Sequence, residues 1–193
     1  MNKQNRFLPT TKDEMKQRGW DELDVVLITG DAYIDSPFMG IAVVGRILED
    51  IGLRVGIIGQ PDINSNVEIK RRGEPKLFWG VSGGSIDSMV SNYTATKKFR
   101  NDDDYTPGGK NNKRPDRATL VYTNLIRRYF KNTAPIVLGG IEASLRRLTH
   151  YDYWSNTLRK PILFDSKADY MIYGMGEQAI IDLGLYLKEG KDV

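Results

Sequence analysis

The sequence predicts an α/β domain of doubly wound type, built on a mainly parallel five-stranded sheet. Three observations predict it. Short apolar runs without polar alternation recur along the chain, as is typical of strands buried on both faces. Segments with helical spacing of apolar residues separate these runs. Several of the runs end in loops rich in glycine or acidic residues.

The five predicted strands alternate with helices in chain order. The first run, DVVLIT, is followed by a helix with apolar residues at 41, 44, 48 and 51 and with Gly52 as its natural stop. The remaining segments are assigned by the same two patterns. Strands are predicted at 24 to 29, 53 to 58, 76 to 81, 135 to 138 and 168 to 173, and helices at 41 to 51, 67 to 72, 86 to 92, 118 to 130 and 177 to 188.

This alternation implies right-handed βαβ crossovers with helices on both faces of the sheet. We expect a flavodoxin-like strand order, 2-1-3-4-5. Ligands of such sheets bind beyond the carboxyl ends of the strands, near the point where the strand order reverses. That point falls between the first and third strands.

Composition limits the chemistry available to the chain. The 193 residues, 40% of them hydrophobic, suffice for one domain, preceded by an N-terminal extension at 1 to 20. No apolar run is long enough to span a membrane, and the N-terminus lacks the apolar core of a signal peptide, so a cytoplasmic location is expected. There is no cysteine and only one histidine, which excludes thiolate metal sites within this sequence.

The basic character is local. Residues 94 to 117 carry seven Lys or Arg and four Asp, an excess that equals the net charge of +3 of the whole sequence. This polar basic insertion is either a solvated surface excursion or a segment that contacts phosphate groups.

The loop after the first strand places glycines, carboxylates and a tyrosine before a helix. Asp35 or Ser36 could cap that helix. Alternatively, the glycines let a ligand approach the backbone while acidic and tyrosyl side chains contact its polar edge. The candidate ligand residues are Thr29, Gly30, Asp31, Tyr33, Asp35 and Gly40.

Paired glycines follow the third and fourth strands. They are interpreted either as tight turns or as a flat platform, free of side chains, for a ligand or a partner domain. The candidate residues are Ser82, Gly83 and Gly84 after the third strand and Gly139, Gly140 and Glu142 after the fourth.

The loop after the fifth strand, with Gly174, Gly176 and Glu177, formally matches G-x-G-x-x-A. A dinucleotide fingerprint opens the first βαβ unit, so this position does not favour NAD or FAD. The HYDYW stretch contains His150 and Tyr151; it is interpreted as packing or docking surface, or as an acid/base pair of His150 with Asp152.

Seven sequence blocks together resemble the YgiQ family of radical S-adenosylmethionine proteins (uncharacterised protein family 0313), over nearly the whole sequence. The longest include DVVLITGDAYIDSPFMG at 24 to 40, FWGVSGGSIDSMVSNYTATKK at 78 to 98 and VLGGIEASLRRLTHYDYWS at 137 to 155. The others are FLPTTKDEMKQRGW at 7 to 20, RVGIIGQPD at 54 to 62, DDDYTPGGKNNKRPDRATLVYTNLIR at 102 to 127 and LFDSKADYMIYGMGEQAI at 163 to 180.

The resemblance implies an N-terminal domain, similar in fold to cobalamin-binding domains, that precedes a radical barrel with a Cys-x3-Cys-x2-Cys motif. It implies that the complete protein binds a [4Fe-4S] cluster and S-adenosylmethionine and generates a 5′-deoxyadenosyl radical. The sequence contains no cysteine to ligate the cluster, so both cofactors are expected outside it.

Cobalamin is a separate expectation. Cobalamin-binding domains often carry Asp-x-His-x-x-Gly after the first strand, and DSPFMG at 35 to 40 keeps that frame with Pro37 at the histidine position. Proline cannot ligate cobalt, so a fold inherited without its cofactor is favoured over cobalamin binding through the serine and glycine loops.

Three functional hypotheses follow. The first is a non-catalytic domain that packs against its own radical barrel and helps to enclose or position a substrate, which is either a small molecule or an RNA. The second is a self-sufficient enzyme using Asp31, Asp35, His150 and Asp152, which requires these side chains to converge on one pocket. The third is an RNA-binding module acting through 94 to 117.

Overall fold

The computed structural model describes residues 7–190 and contains one central sheet. Five parallel strands form it in the order β2-β1-β3-β4-β7, and β5 and β6 form a separate antiparallel hairpin. The strands are β1 Val25–Thr29, β2 Val55–Gly59, β3 Phe78–Ser82, β4 Ile136–Gly139, β5 His150–Asp152, β6 Thr157–Arg159 and β7 Tyr170–Met171.

Helices connect the strands on both faces of the sheet. Those following β1, β3 and β7 begin at the carboxyl edge of the sheet, as right-handed crossovers require. The helices are α1 Lys12–Gln17, α2 Gly40–Asp50, α3 Val67–Lys70, α4 Ser88–Asn92, α5 Ala118–Tyr129, α6 Gly140–Leu145, α7 Ile162–Ser166 and α8 Glu177–Lys188.

The central strand β1 explains why its sequence is apolar throughout. It pairs with β2 on one side and β3 on the other, with Val25 in register with both Val55 and Phe78. All five of its residues are buried. A strand with neighbours at both edges and helices on both faces has no position that suits a solvated side chain.

The sheet separates two hydrophobic layers. Alternate residues of β1 point into each, because successive strand side chains face opposite ways. Val26 packs in the layer formed with α5 and α7, whereas Leu27 packs in the layer formed with α2 and α8. Tyr122 on α5 and Leu48 on α2 are fully buried in these two layers.

The predicted fold class and the strand order 2-1-3-4-5 are confirmed. The last strand is shorter than predicted, because only Tyr170 and Met171 pair with β4. The β5–β6 hairpin and the helices α1, α6 and α7 were not predicted, since each has six residues or fewer and so shows little periodicity.

The described part of the N-terminal extension belongs to the core. Leu8 is buried, and the Pro9 carbonyl accepts a hydrogen bond from the Ile57 amide at the open edge of β2. Thr11 and Glu14 form a reciprocal capping box at the start of α1. Residues 1 to 6 of the predicted extension lie outside the described residues.

Within residues 7–190, none of the helices has the length and hydropathy needed to cross a bilayer.

Candidate functional site

A cavity of about 460 Å³ opens at the carboxyl ends of the strands, where the sequence predicted a ligand edge. Its floor is apolar and comes from Leu27, Val81 and Val137 of three adjacent strands. Its walls are the first turns of α2 and α8. The volume lies within the range of small-molecule sites, which are mostly apolar with a few polar groups.

Exposed apolar side chains surround the mouth of this cavity. Phe38 and Met175 are 92% and 93% exposed, and Ile141 is also exposed. Large apolar groups clustered around a concavity typically mark a ligand or protein contact site. The strand-end face therefore has the apolar composition of a contact surface.

Glycines line the cavity from five loops and strands, and they differ in the space they leave. A Cβ atom at Gly40 would meet no other atom, and one at Gly139 would only reach the Ile172 carbonyl at 4.0 Å. The glycines of the cavity lining are Gly40, Gly80, Gly84, Gly139, Gly140, Gly174 and Gly176. Gly40 and Gly139 thus fit the predicted platform without side chains.

Three other predicted glycines, Gly30, Gly83 and Gly84, serve a different purpose, because they make room for protein groups. A Cβ at Gly83 would collide with the Glu142 carboxylate, and one at Gly84 with the Asp31 carboxylate. A Cβ at Gly30 would collide with the Gly83 carbonyl. The prediction that Gly30 admits a ligand to the backbone is therefore wrong.

Asp31 is buried at the edge of the cavity and is already paired. Its carboxylate accepts a hydrogen bond from the Ser85 amide at 2.6 Å and from the Arg114 guanidinium at 2.6 Å. Burial raises the pKa of the Asp31 carboxyl above its ordinary value, while Ser85 and Arg114 oppose this shift. The predicted role of Asp31 as a ligand contact is not supported, since its oxygens hold the loops together.

Glu142 was predicted as part of the platform but lies beneath it. The carboxylate is buried and accepts hydrogen bonds from the backbone amides of Ser88 and Thr119, both at 2.9 Å. It thereby joins α6 to the starts of α4 and α5. Glu142 is a structural acceptor that fixes the loop after β3.

The hydroxyls of Thr29 and Ser82 also face their own loops. Thr29 accepts from the Asp31 amide at 3.2 Å, and Ser82 accepts from the Gly84 amide at 3.1 Å. Both residues line the cavity. The two hydroxyls therefore stabilise the loops at the mouth of the cavity.

Tyr33 and Asp35 point away from the predicted ligand edge. The Tyr33 hydroxyl accepts from the Leu8 amide at 3.2 Å, and burial raises the pKa of Tyr33 to about 12. Asp35 pairs with Arg46 of α2. The predicted cap by Asp35 or Ser36 is wrong, since Met39 precedes the first turn and no side chain caps it.

His150 and Tyr151 lie on the β5–β6 hairpin, where Tyr151 is exposed and opposes Leu158. His150 lines a second, much smaller cavity together with Arg117, Arg146 and Glu142. The strand-end cavity does not include His150. The hairpin therefore contributes nothing to the cavity lining.

The acid/base interpretation of Asp152 is also wrong. Burial raises the pKa of Asp152, but hydrogen bonds from Ser155 and pairing with Arg117 outweigh it and lower the pKa to about 2. Asp152 is thus an ion-pair partner. His150 and Asp152 lie on the hairpin, outside the cavity that Asp31 lines, and Asp35 pairs with Arg46. The four side chains do not converge on one pocket, so the self-sufficient enzyme hypothesis fails.

The insertion at 94 to 117 is anchored from within, which its polar sequence did not suggest. The Arg114 side chain is fully buried and donates to the Gly30 carbonyl at 3.1 Å as well as to Asp31. Asp103 beneath it is also buried and accepts from Thr106 at 2.6 Å. The solvated-excursion prediction is therefore wrong for Arg114 and Asp103, although most of the insertion is exposed.

Arg114 is the residue most clearly missed by the sequence-based reasoning. It lies in a run of charged residues, and its partner Asp31 is 83 positions away. No local pattern connects them.

Among residues 7–190, no group of three or more His, Cys, Asp or Glu side chains could hold a metal ion.

The fold and the site define a flavodoxin-like α/β domain with a cavity at its switch point. The chain belongs to the Radical SAM N-terminal family, whose model matches residues 7–193.

Proteins designated UPF0313 align with almost the whole chain. A UPF0313 protein of Fusobacterium nucleatum is 61% identical over 97% of this chain, and one of Thermotoga neapolitana is 58% identical over 97%. The UPF0313 protein YgiQ of Salmonella typhimurium is 53% identical over 97%. The chain spans only 33%, 33% and 26% of these proteins, respectively.

Solved structures with the same fold include the radical S-adenosylmethionine methyltransferase TsrM from Kitasatospora setae. The form with cobalamin and a [4Fe-4S] cluster bound superposes with a TM-score of 0.56 at 19% identity, covering 89% of this chain and 27% of TsrM. The form with tryptophan and a SAM analogue gives the same TM-score at 20% identity. At this level of identity, the likeness concerns the fold alone.

Proposed function

We propose that this chain is the non-catalytic N-terminal domain of a radical S-adenosylmethionine iron–sulfur enzyme, and that its strand-end face packs against the radical barrel to help enclose or position the substrate. The observation that carries the proposal is the cavity with its exposed apolar rim, Phe38, Ile141 and Met175. Such a rim is favourable only when another surface removes it from water.

The barrel would hold the [4Fe-4S] cluster and S-adenosylmethionine, which supply radical chemistry. This chain has no cysteine to ligate a cluster. Its own contribution is a wall of apolar side chains and glycine backbone that keeps water away from the substrate. Exclusion of water protects reactive intermediates from side reactions.

Hydrogen exchange tests this docking without knowledge of the substrate. We expect the amides of residues 36–41 and 173–178 to exchange about tenfold more slowly in a full-length UPF0313 protein than in this chain alone, because burial at an interface suppresses local opening. Residues 131–135, at the opposite edge of the sheet, serve as the internal control. Equal rates at 36–41 in the two forms would contradict the proposal.

A pair of variants sharpens that measurement. Met175→Glu places a charge on the rim and should restore fast exchange at 36–41 in the full-length protein. Phe164→Glu makes the same kind of change on α7, which precedes the amino end of β7, and should leave the slowed exchange intact. An equal effect of both variants would point to general destabilisation instead of docking.

A second candidate function is cobalamin binding without a cobalt ligand from this chain. Pro37 stands at the histidine position of the cobalamin motif, and His150 lines the other cavity, so the chain offers no imidazole at the strand-end cavity. The apolar floor of the cavity and its open glycines nevertheless suit the apolar end of the nucleotide tail of cobalamin. TsrM, which shares the fold, was solved with cobalamin bound.

Equilibrium dialysis with hydroxocobalamin tests the second candidate. Binding by the wild-type chain should fall at least about tenfold in Gly139→Leu, because the new side chain enters space that is open at Gly139. Leu185→Ala, a change of partly exposed apolar bulk on α8 outside the cavity lining, is the control and should bind like wild type. Absence of hydroxocobalamin binding to the wild-type chain contradicts this candidate.

A further inference from the structure

A second surface, separate from the cavity rim, combines aromatic rings with basic side chains. The rings of Phe99, Tyr93, Trp154 and Tyr153 form a continuous series with centroid separations of 5.6, 5.4 and 5.3 Å. The series joins the insertion at 94 to 117 with the end of the β5–β6 hairpin. Phe99 and Tyr153, at its two ends, are 53% and 47% exposed.

The aromatic series is held in place by polar contacts. The Tyr153 hydroxyl donates to the Ala95 carbonyl at 2.8 Å, and the Lys97 ammonium lies 4.5 Å from the centre of the Tyr153 ring. The Tyr93 hydroxyl donates to Asp116 at 2.8 Å. The exposed rings therefore sit on a fixed support, which reduces the entropy lost when another molecule stacks on them.

The exposed residues of the insertion keep its full excess of three positive charges, because the cations and carboxylates that are buried or paired balance each other. Asp103 is buried against Arg114, and Asp116 accepts hydrogen bonds from Tyr93 and Asn92. Only two carboxylates of the insertion are exposed, whereas five cations are. The exposed carboxylates are Asp102 and Asp104, and the exposed cations are Lys97, Lys98, Arg100, Lys110 and Lys113.

The insertion is fixed to the strand-end edge of the sheet. The Tyr105 carbonyl accepts a hydrogen bond from the Ala32 amide at 2.9 Å, and Arg114 donates to the Gly30 carbonyl. Thr29 and Asp31, the neighbours of Gly30, line the cavity. The inner side of the insertion is therefore bonded to the loop that borders the cavity.

We infer that this aromatic and basic surface binds single-stranded nucleic acid. Exposed rings stack on unpaired bases, and surrounding Lys and Arg side chains neutralise phosphates; this combination is typical of proteins that bind single strands. Bases within a duplex are already stacked and cannot use the rings. The inference depends on neither the docking of the cavity rim nor cobalamin.

Fluorescence anisotropy with labelled oligonucleotides tests it on this chain. We use mixed-sequence single strands of about 16 nucleotides, one of RNA and one of DNA, and the blunt duplex of the same sequence. Binding of at least one single strand, several-fold tighter than the duplex and weakened by added salt, is expected. The RNA and DNA arms show which polynucleotide is preferred.

Phe99→Leu keeps apolar bulk but removes the aromatic face. Tyr153→Leu does the same and also removes the hydroxyl that donates to the Ala95 carbonyl, so Tyr153→Phe, which loses the hydroxyl alone, is its matched control. Phe99→Leu and Tyr153→Leu should each weaken binding of the single strand roughly 5- to 100-fold. Phe99→Trp keeps an aromatic ring and should bind like wild type. Because both positions are about half exposed, circular dichroism should show unfolding close to that of wild type. These variants separate stacking from simple attraction between opposite charges.

Lys98→Glu tests the electrostatic part, and Lys131→Glu is its control at the opposite edge of the sheet, between α5 and β4. Lys98→Glu should weaken binding and reduce the slope of log K against log salt by about 0.7 or more. Lys131→Glu should change neither quantity appreciably.

Three results would overturn the inference: no binding at low salt, duplex bound as tightly as single strands, or unchanged affinity in Phe99→Leu and Tyr153→Leu.

Discussion

Replacement of Arg114 by Met is expected to lower the free energy of unfolding by about 3–5 kcal/mol, measured by urea denaturation at neutral pH. Removing one partner of a buried ion pair leaves the other charge uncompensated. Arg114 is fully buried, and Asp31 beside it is only 1% exposed. The loss also releases the insertion from the Gly30 carbonyl.

The matched control is Lys113→Met, which removes the same charge at the neighbouring exposed position and should change stability by less than about 0.5 kcal/mol. The double variant Arg114→Met with Asp31→Asn should recover part of the loss, because the neutral amide no longer needs a cation whereas buried Asp103 still does. A small effect of Arg114→Met, similar to that of Lys113→Met, would show that the pair contributes little.

The destabilisation in Arg114→Met should depend on pH in a defined direction. Burial raises the pKa of Asp31, and Arg114 opposes that shift, so its removal raises the pKa further. A raised folded-state pKa contributes stability at pH values below the unfolded pKa and loses it as pH rises through the folded pKa. The deficit relative to wild type should therefore be smallest in acid and grow toward neutral pH.

Gly84→Ala is expected to cost about 3 kcal/mol or more, again measured by urea denaturation. Gly84 has a φ of +115°, which residues with a side chain rarely adopt, and the new methyl group would collide with the Asp31 carboxylate. Backbone strain and overpacking each cost on the order of 1–3 kcal/mol. Both costs apply at Gly84, which lines the cavity.

Gly40→Ala provides the contrast, because it also lines the cavity and begins α2. Its new methyl group would meet no atom, and its φ is not positive, so stability should stay equal or rise by up to about 1 kcal/mol. Comparable destabilisation by the two substitutions would refute the assignment of Gly84 to a position that excludes a side chain.

Much of the architecture follows from local sequence. The apolar run of β1 predicted a doubly buried strand, and the alternation of strands and helices predicted a parallel sheet, for which the flavodoxin-like order 2-1-3-4-5 was expected and is observed. The cavity lies at the predicted edge for the same reason. The helices α1, α6 and α7 and the hairpin at 150 to 159 escaped prediction because tertiary contacts, not periodicity, hold them.

The candidate site was only partly predictable. Sequence motifs selected the glycine-rich loops that line the cavity, but they did not distinguish Gly139, which faces open space, from Gly83, which makes room for Glu142. Likewise, the charges of the insertion were visible, yet their division into buried and exposed sets was not. Both distinctions depend on which groups approach from distant parts of the chain.

The sequence by itself determined the fold class, the family and the absence of cysteine ligands, because periodicity, motifs and composition do not depend on which distant residues meet. The strand order was expected from the sequence and was fixed only by the structure. Only the tertiary structure decided that Asp31 is neutralised by Arg114 and that Phe99 and Tyr153 share one aromatic surface. These partners are tens of residues apart, and folding alone brings their charges and rings together.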